Sequence, residues 1–211
     1  MSRNKNQPRL VVIDRDGTLN TWREGFTRTP EEFEPVPGAL EAVALLNRAG
    51  WLVVMATNQP GLGRGVLDMT TFHAINTRMH QELAVAGGRL DAVFFCPHGP
   101  EDNCRCAKPQ PGLLLDIAKR YGVEPKQIPM VGDALRDMQA AASAGFQPHL
   151  VCTGEGRVWR DRALDASFPP NTQVHSDLLA FAEDLLAKEE RNSEKMREEA
   201  DKKAKIGAES V

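Results

Sequence analysis

The stretch VVIDRDGTLN, Val11 to Asn20, decides how this chain is read. With Leu10 it opens as LVVID, a short apolar and β-branched run that predicts a strand over Leu10–Asp14. The strand runs straight into two aspartates spaced by one residue, then Gly17 and Thr18. Neighbouring carboxylates repel, and each resists leaving water. An ordinary Asp-Gly turn after a strand is one account of them. The other is chemical. A carboxylate needs no deprotonation to act as a nucleophile, so Asp14 could attack phosphorus. Asp16, two residues on, points to the same side of an extended chain and could carry a proton. A divalent cation such as Mg²⁺, which favours carboxylate together with phosphate oxygens, would make their closeness tolerable.

Outward from this stretch the chain alternates. Further strands are expected at Trp51–Thr57, Ala92–Cys96, Ile128–Gly132 and Pro148–Thr153. Helices are expected at Ala39–Gly50, at about Thr70–Ala86, at Pro111–Gly122 and at Leu135–Gly145. Thr27–Gly38 and the glycine-rich NQPGLGRG read as loops. Strands alternating with helices predict an α/β fold: a Rossmann-like parallel sheet with helices on both faces. Such sheets bind ligands at the carboxyl ends of their strands. Asp14, Thr57, Cys96 and Asp133 each fall where a strand finishes, so they should converge on one rim.

The nucleophile reading makes demands, and the chain meets them. VGDALRD supplies a further metal carboxylate, Asp133, with Asp137 one turn on; ATNQ supplies Thr57 and Asn58 as donors; CAKPQPG supplies Lys108 to face phosphoryl oxygens. A second cluster, CPHGPEDNCRC, presents Cys96, His98, Cys104 and Cys106. Three thiolates and an imidazole make a closed tetrahedral zinc set, hence a structural Zn²⁺ that would stiffen a loop ending just before Lys108. Cys152, within a strand, reads as a small buried hydrophobe. His73, His80, His149 and His175 read as structural or surface residues.

The bulk numbers bound the rest. At 211 residues the chain suits one domain, expected over residues 1–186, followed by a charged helical or disordered tail over 187–211. That last helix should dock through Leu178, Leu179, Phe181, Leu185 and Leu186. A net charge of −3 gives no basic field for nucleic acid. No apolar run approaches the roughly 18 residues that read as a membrane span. The start, MSRNKNQPRL, has no secretory signal pattern, so the expected compartment is the cytoplasm. Nothing demands more than a monomer.

DRDGTLN, ATNQ, AKPQPG and VGDALRD, in that order, resemble the four motifs of the haloacid-dehalogenase superfamily of phosphotransferases. The resemblance implies Asp14 as nucleophile and Asp16 as general acid and base. It implies Thr57, Asn58, Gln59 and Arg64 on the substrate, and Lys108 as the cation on phosphate. Mg²⁺ would be held by the Asp14 carboxylate, the Asp16 carbonyl and Asp133, with Asp137 behind them. TNQPGLGRG and the zinc loop resemble the capless, zinc-bearing branch that includes the heptose-bisphosphate and histidinol-phosphate phosphatases. The segment from Asp16 to Ala39 leaves no room for a cap domain. The resemblance therefore implies removal of the C7 phosphate of D-glycero-D-manno-heptose 1,7-bisphosphate through an aspartyl-phosphate, in the supply of nucleotide-activated heptose for lipopolysaccharide. Histidinol phosphate or another small sugar phosphate is the alternative, and an inactive binding module the remote one. Three positions depart from that branch's pattern: Ala107 replaces an arginine, Pro60 a serine and Ala134 a lysine. Two of these remove positive charge where a second phosphate would bind; Arg23, Arg64, Arg105 and Arg136 are the candidate replacements.

Overall fold

A computed structural model describes residues 7–24 and 27–208, with side chains described as far as 199. Six parallel strands form one sheet: β1 (Arg9–Ile13), β2 (Trp51–Asn58), β3 (Ala92–Cys96), β4 (Pro129–Gly132), β5 (Gln147–Val151) and β6 (Gln173–His175). Their spatial order is β3-β2-β1-β4-β5-β6, and every neighbouring pair is parallel. The order reverses between β1 and β4, which is where doubly wound sheets open a crevice for ligands.

The central strands β1, β2 and β4 are buried on both faces, and the period-two alternation of β1 and β2 sorts their side chains. Val11, Ile13, Val53 and Met55 pack under α1 (Ala39–Arg48), α3 (Met69–Val85) and the first turns of α6 (Leu178–Ala208). Leu10, Val12, Val54 and Ala56 pack under α4 (Gly112–Tyr121) and α5 (Leu135–Ala144). The expected two-faced sheet is thus the observed one. The segment between Asp16 and Ala39 carries one short 3-10 turn, Pro30–Glu32, and no second domain is built on it among the described residues.

Two elements differ from the sequence expectation. The glycine-rich loop winds into a single turn, α2 (Pro60–Gly63), with proline in its first turn, where a missing N–H does no harm. The edge strand β6 has three residues, two of them exposed, and carries too little apolar pattern to be foreseen. The stretch past residue 186, expected as helical or disordered, continues the terminal helix to Ala208. Leu178, Phe181 and Ala182 are buried, with Leu179, Leu185 and Leu186 packed beside them. Glu189 then ties the helix to the body, accepting hydrogen bonds from Arg9 Nη1 and Trp51 Nε1, both at 3.1 Å. Beyond it the side chains described, 190–199, are exposed.

His149 and His175 seal the sheet against this helix. Their rings stack at 5.3 Å with Nδ1 of His149 3.0 Å from Nε2 of His175, and both meet the edge of Phe181. Burial holds both below the usual histidine range, His149 down to about 3, so the pair is neutral and structural. Among the described residues no helix is long and apolar enough to cross a membrane.

Candidate active site

Asp14 follows β1, Thr57 and Asn58 end β2, Cys96 ends β3 and Asp133 follows β4. The expected convergence on one rim is what the fold produces. A cleft of about 270 Å³ opens there, with Asp14, Asp16, Thr57 and Lys108 in its wall.

Lys108 sits at the floor of the cleft. Its Nζ lies 2.8 Å from Asp14 Oδ1 and 2.6 Å from Asp137 Oδ1, and donates to the Ala56 carbonyl at 2.9 Å. The backbone of Lys108 is clamped as well: its N–H donates to Asn58 Oδ1 at 3.0 Å and its carbonyl accepts from Asn58 Nδ2 at 2.9 Å. Asn58 therefore positions the lysine. Lys108 is two residues from Cys106, so the loop bearing it is held both by β2 and by the cysteine cluster.

Asp16 is caged. Arg15, fully buried, donates from Nε and Nη2 to its Oδ2, at 3.1 and 2.9 Å. Asn20 Nδ2 and Thr27 Oγ1 each donate to Oδ1 at 3.2 Å. Gln59 Nε2 donates to Oδ2 at 3.1 Å and to Thr57 Oγ1 at 2.9 Å, while its own Oε1 accepts from Arg15. Gln59, expected on the substrate, is buried and serves Asp16 instead. Arg64, also expected there, does not line the cleft; its nearest acid is Glu101, at 3.8 Å on the cysteine-bearing loop. Arg15, Asn20 and Thr27 were not singled out from sequence. The alternation that aims Asp14 and Asp16 to one side is the signal that Arg15 turns inward.

Asp133 closes the site. Its Oδ2 accepts the Glu155 N–H at 2.8 Å, and Oδ1 is buried with no hydrogen-bond partner. Gly17 and Gly154 both lie against it in left-handed conformations, at φ +88 and +48, and a Cβ on either would overlap its Oδ2. Asp14, Asp133 and Asp137 bring carboxylate oxygens within 4.8 Å of one another.

Residues 23–145 match the haloacid dehalogenase-like hydrolase family. The chain belongs to that family. It is 49% identical over 178 residues to the D-glycero-beta-D-manno-heptose-1,7-bisphosphate 7-phosphatase of Bordetella bronchiseptica, covering 84% of this chain and 98% of that one. It is 39% identical to the Pseudomonas putida protein of the same name, over 84% of this chain and 99% of the relative. A crystal structure of the B. bronchiseptica D,D-heptose 1,7-bisphosphate phosphatase with magnesium and phosphate superposes with a TM-score of 0.81, covering 85% of this chain and 99% of that one.

In this haloacid dehalogenase-like hydrolase the donor set fits a hard divalent cation. Burial, then the charges of Asp137 and Asp14, push the Asp133 carboxyl up to about 8. Burial is also the main cause that raises Asp14 to about 6, against the opposing pull of Lys108. One lysine does not neutralise three clustered carboxylates, and an orphaned buried oxygen on Asp133 is what an Mg²⁺ ligand looks like. Asp14 and Asp133 would hold the ion. Lys108 behaves oppositely: burial pulls it down, but Asp137 and Asp14 outweigh burial and hold it above its usual range. For Asp16, burial pushes the carboxyl up, yet the Arg15 charge and the hydrogen bonds of its cage prevail and hold it low. In the free site Asp16 is ionised.

These shifts set a sign. A carboxyl raised in the folded state contributes stability that is full below its ordinary value of 3.8 and is lost as pH rises through about 8 for Asp133. Metal-free protein should therefore melt lower by several degrees at pH 8 than at pH 6. Mg²⁺ should raise the melting temperature more at pH 8 than at pH 6, because deprotonated ligands bind it better. Thermal scans with and without Mg²⁺ check this; a metal effect that shrinks with rising pH would contradict the assignment of Asp14 and Asp133.

Proposed function

We propose that this protein is a phosphomonoesterase that hydrolyses the C7 phosphate of D-glycero-beta-D-manno-heptose 1,7-bisphosphate. The observation that carries the reading is the Asp14–Lys108 pair at the floor of an open cleft, in a chain close to relatives named for that substrate. An Asp14 carboxylate oxygen attacks phosphorus and the bond from phosphorus to the sugar oxygen breaks. Asp16 gives the departing oxygen a proton. It takes that proton from solvent as the negative charge of an arriving phosphate raises its carboxyl, and gives one back when inorganic phosphate leaves. Asp16 then takes a proton from water, which attacks the aspartyl-phosphate, and inorganic phosphate leaves. Lys108 and Thr57 bind the phosphoryl oxygens. Mg²⁺, when bound, neutralises charge on the transferring group. The other product, a heptose 1-phosphate, suits later nucleotide activation for lipopolysaccharide, and the enzyme acts in this reading as a cytoplasmic monomer.

The test compares kcat/KM for both anomers of the heptose bisphosphate and for histidinol phosphate, in Mg²⁺. The beta anomer is expected to be the best of the three. A higher value for histidinol phosphate would overturn the substrate assignment while leaving the phosphatase chemistry in place.

The reading includes a structural Zn²⁺. Cys96, Cys104 and Cys106 bring their sulfurs within 3.2–3.5 Å of each other, and His98 Nδ1 lies 3.2 Å from Cys106 Sγ and 3.6 Å from Cys96 Sγ. Four ligand atoms at such spacings outline a tetrahedron with no position for water. The Ala107 N–H points at Cys104 Sγ at 3.3 Å, as a donor to a metal-bound thiolate does. Elemental analysis should find about one zinc per chain, and Cys96→Ala should lose it. Folded, active and zinc-free protein would remove the zinc from the reading.

A further inference from the structure

The substrate proposed above carries a second phosphate, and Lys108 cannot hold it. That side chain is 1% exposed and already faces Asp14, Asp137 and the Ala56 carbonyl. Two other cations line the same cleft, Arg136 and Arg23. They sit at different depths. Arg136 is half-buried, pairs with Glu155 at 2.9 Å and feels the charges of Asp137 and Asp14, so it belongs to the reacting end. Arg23 is exposed. Its Nε donates to the Glu32 carbonyl at 3.1 Å and its Nη2 to Glu34 at 3.3 Å. These contacts orient the guanidinium without burying it. An exposed ion pair of this kind is weak and screened, so a phosphate can displace the Glu34 carboxylate or bond beside it. Trp22, next to Arg23, also lines the cleft and is 41% exposed. A large aromatic ring left open beside a polar cleft is a flat platform for the C–H face of a sugar.

We infer that Trp22 and Arg23 form the outer subsite of the cleft, Trp22 against the sugar and Arg23 on the phosphate that is not hydrolysed. This rests on the bisphosphate reading. It places the specificity for a second anion on the segment after β1. Arg105 is the rival candidate, exposed and ion-paired in the same way but set elsewhere. It borders the neighbouring groove beside the cysteine-bearing loop, paired with Asp116 at 2.9 Å.

The experiment measures kcat/KM for the heptose 1,7-bisphosphate and for the heptose 7-phosphate, in Mg²⁺, for the full-length protein and for Arg23→Ala, Arg23→Lys and Arg105→Ala. The unaltered protein should prefer the bisphosphate. Arg23→Ala should reduce that preference by about 10- to 100-fold, as loss of a charge-assisted contact does, mainly through KM; Arg23→Lys should restore part of it. A preference that survives Arg23→Ala, or that collapses in Arg105→Ala instead, overturns the subsite and leaves the proposed function standing. An unaltered protein with no preference overturns the bisphosphate reading, and the subsite with it.

Discussion

Asp14→Asn is expected to lower turnover by at least about 10⁴-fold, because an amide in that place is not a nucleophile toward phosphorus and Asp14 is the cleft carboxylate paired with Lys108. Its neighbours limit the structural consequence. Lys108 keeps Asp137 at 2.6 Å and the Ala56 carbonyl at 2.9 Å, so the lysine is not released into an apolar interior. The sign of the stability change follows from the raised carboxyl. At pH 8 the ionised Asp14, shifted to about 6, destabilises the metal-free fold relative to a neutral side chain. Metal-free Asp14→Asn should therefore melt no lower than the unaltered protein at pH 8, while Mg²⁺ should stabilise it less. Phosphate release and thermal scans report the two effects separately. A variant that kept its rate would end the nucleophile assignment; one that lost its fold would make the inactivity uninformative, and Asp14→Ser is then the second variant to measure.

Lys108→Met should have the largest effect on stability. The ammonium is enclosed by two carboxylates of which Asp137 is fully buried. Removing one partner of such a buried pair leaves uncompensated charge and typically costs about 3–5 kcal/mol. Urea unfolding of the metal-free protein at pH 8 should show a loss of that order. The loss should shrink as pH falls, since a protonated Asp14 no longer needs the lysine. Activity should fall as well, and a stable, inactive protein would mean that Lys108 serves catalysis without holding the site together.

The frame of the site was legible in the sequence for a simple reason. Strand ends can be read from short apolar runs, and in a parallel sheet all of them lie on one edge. Asp14, Thr57, Cys96 and Asp133 do fall at those ends, while Lys108 comes from the loop between β3 and α4. What the chain did not disclose was which polar side chains would turn inward. Gln59 and Asn58 stand beside Thr57 in a motif that suggests a substrate-facing row. Each has both a donor and an acceptor end, and each satisfies both within the protein: Gln59 on Asp16 and Arg15, Asn58 on the Lys108 backbone. Buried amides must be paired, and their partners come from distant loops that no local pattern reveals. Arg15 is the sharper case. A charged residue at the centre of the motif reads as exposed, but the carboxylate beside it makes its burial tolerable. Arg64 is expected on the substrate from the family resemblance and as a replacement for lost positive charge, yet at the end of α2 it faces Glu101.

The two glycines that flank Asp133 bear on how this sequence can change over generations. Gly17 and Gly154 lie far apart in the chain, yet each presses a bare Cα against the same carboxylate from a left-handed backbone. A side chain at either position collides with Asp133, and a smaller residue in place of Asp133 would surrender the metal ligand. Tolerance at the three positions is therefore joint. A side chain at Gly17 or Gly154 finds room only if the Asp133 carboxylate moves. The three positions form a locked combination, whereas the exposed Trp22 and Arg23 on the wall of the cleft meet no steric bar of that kind.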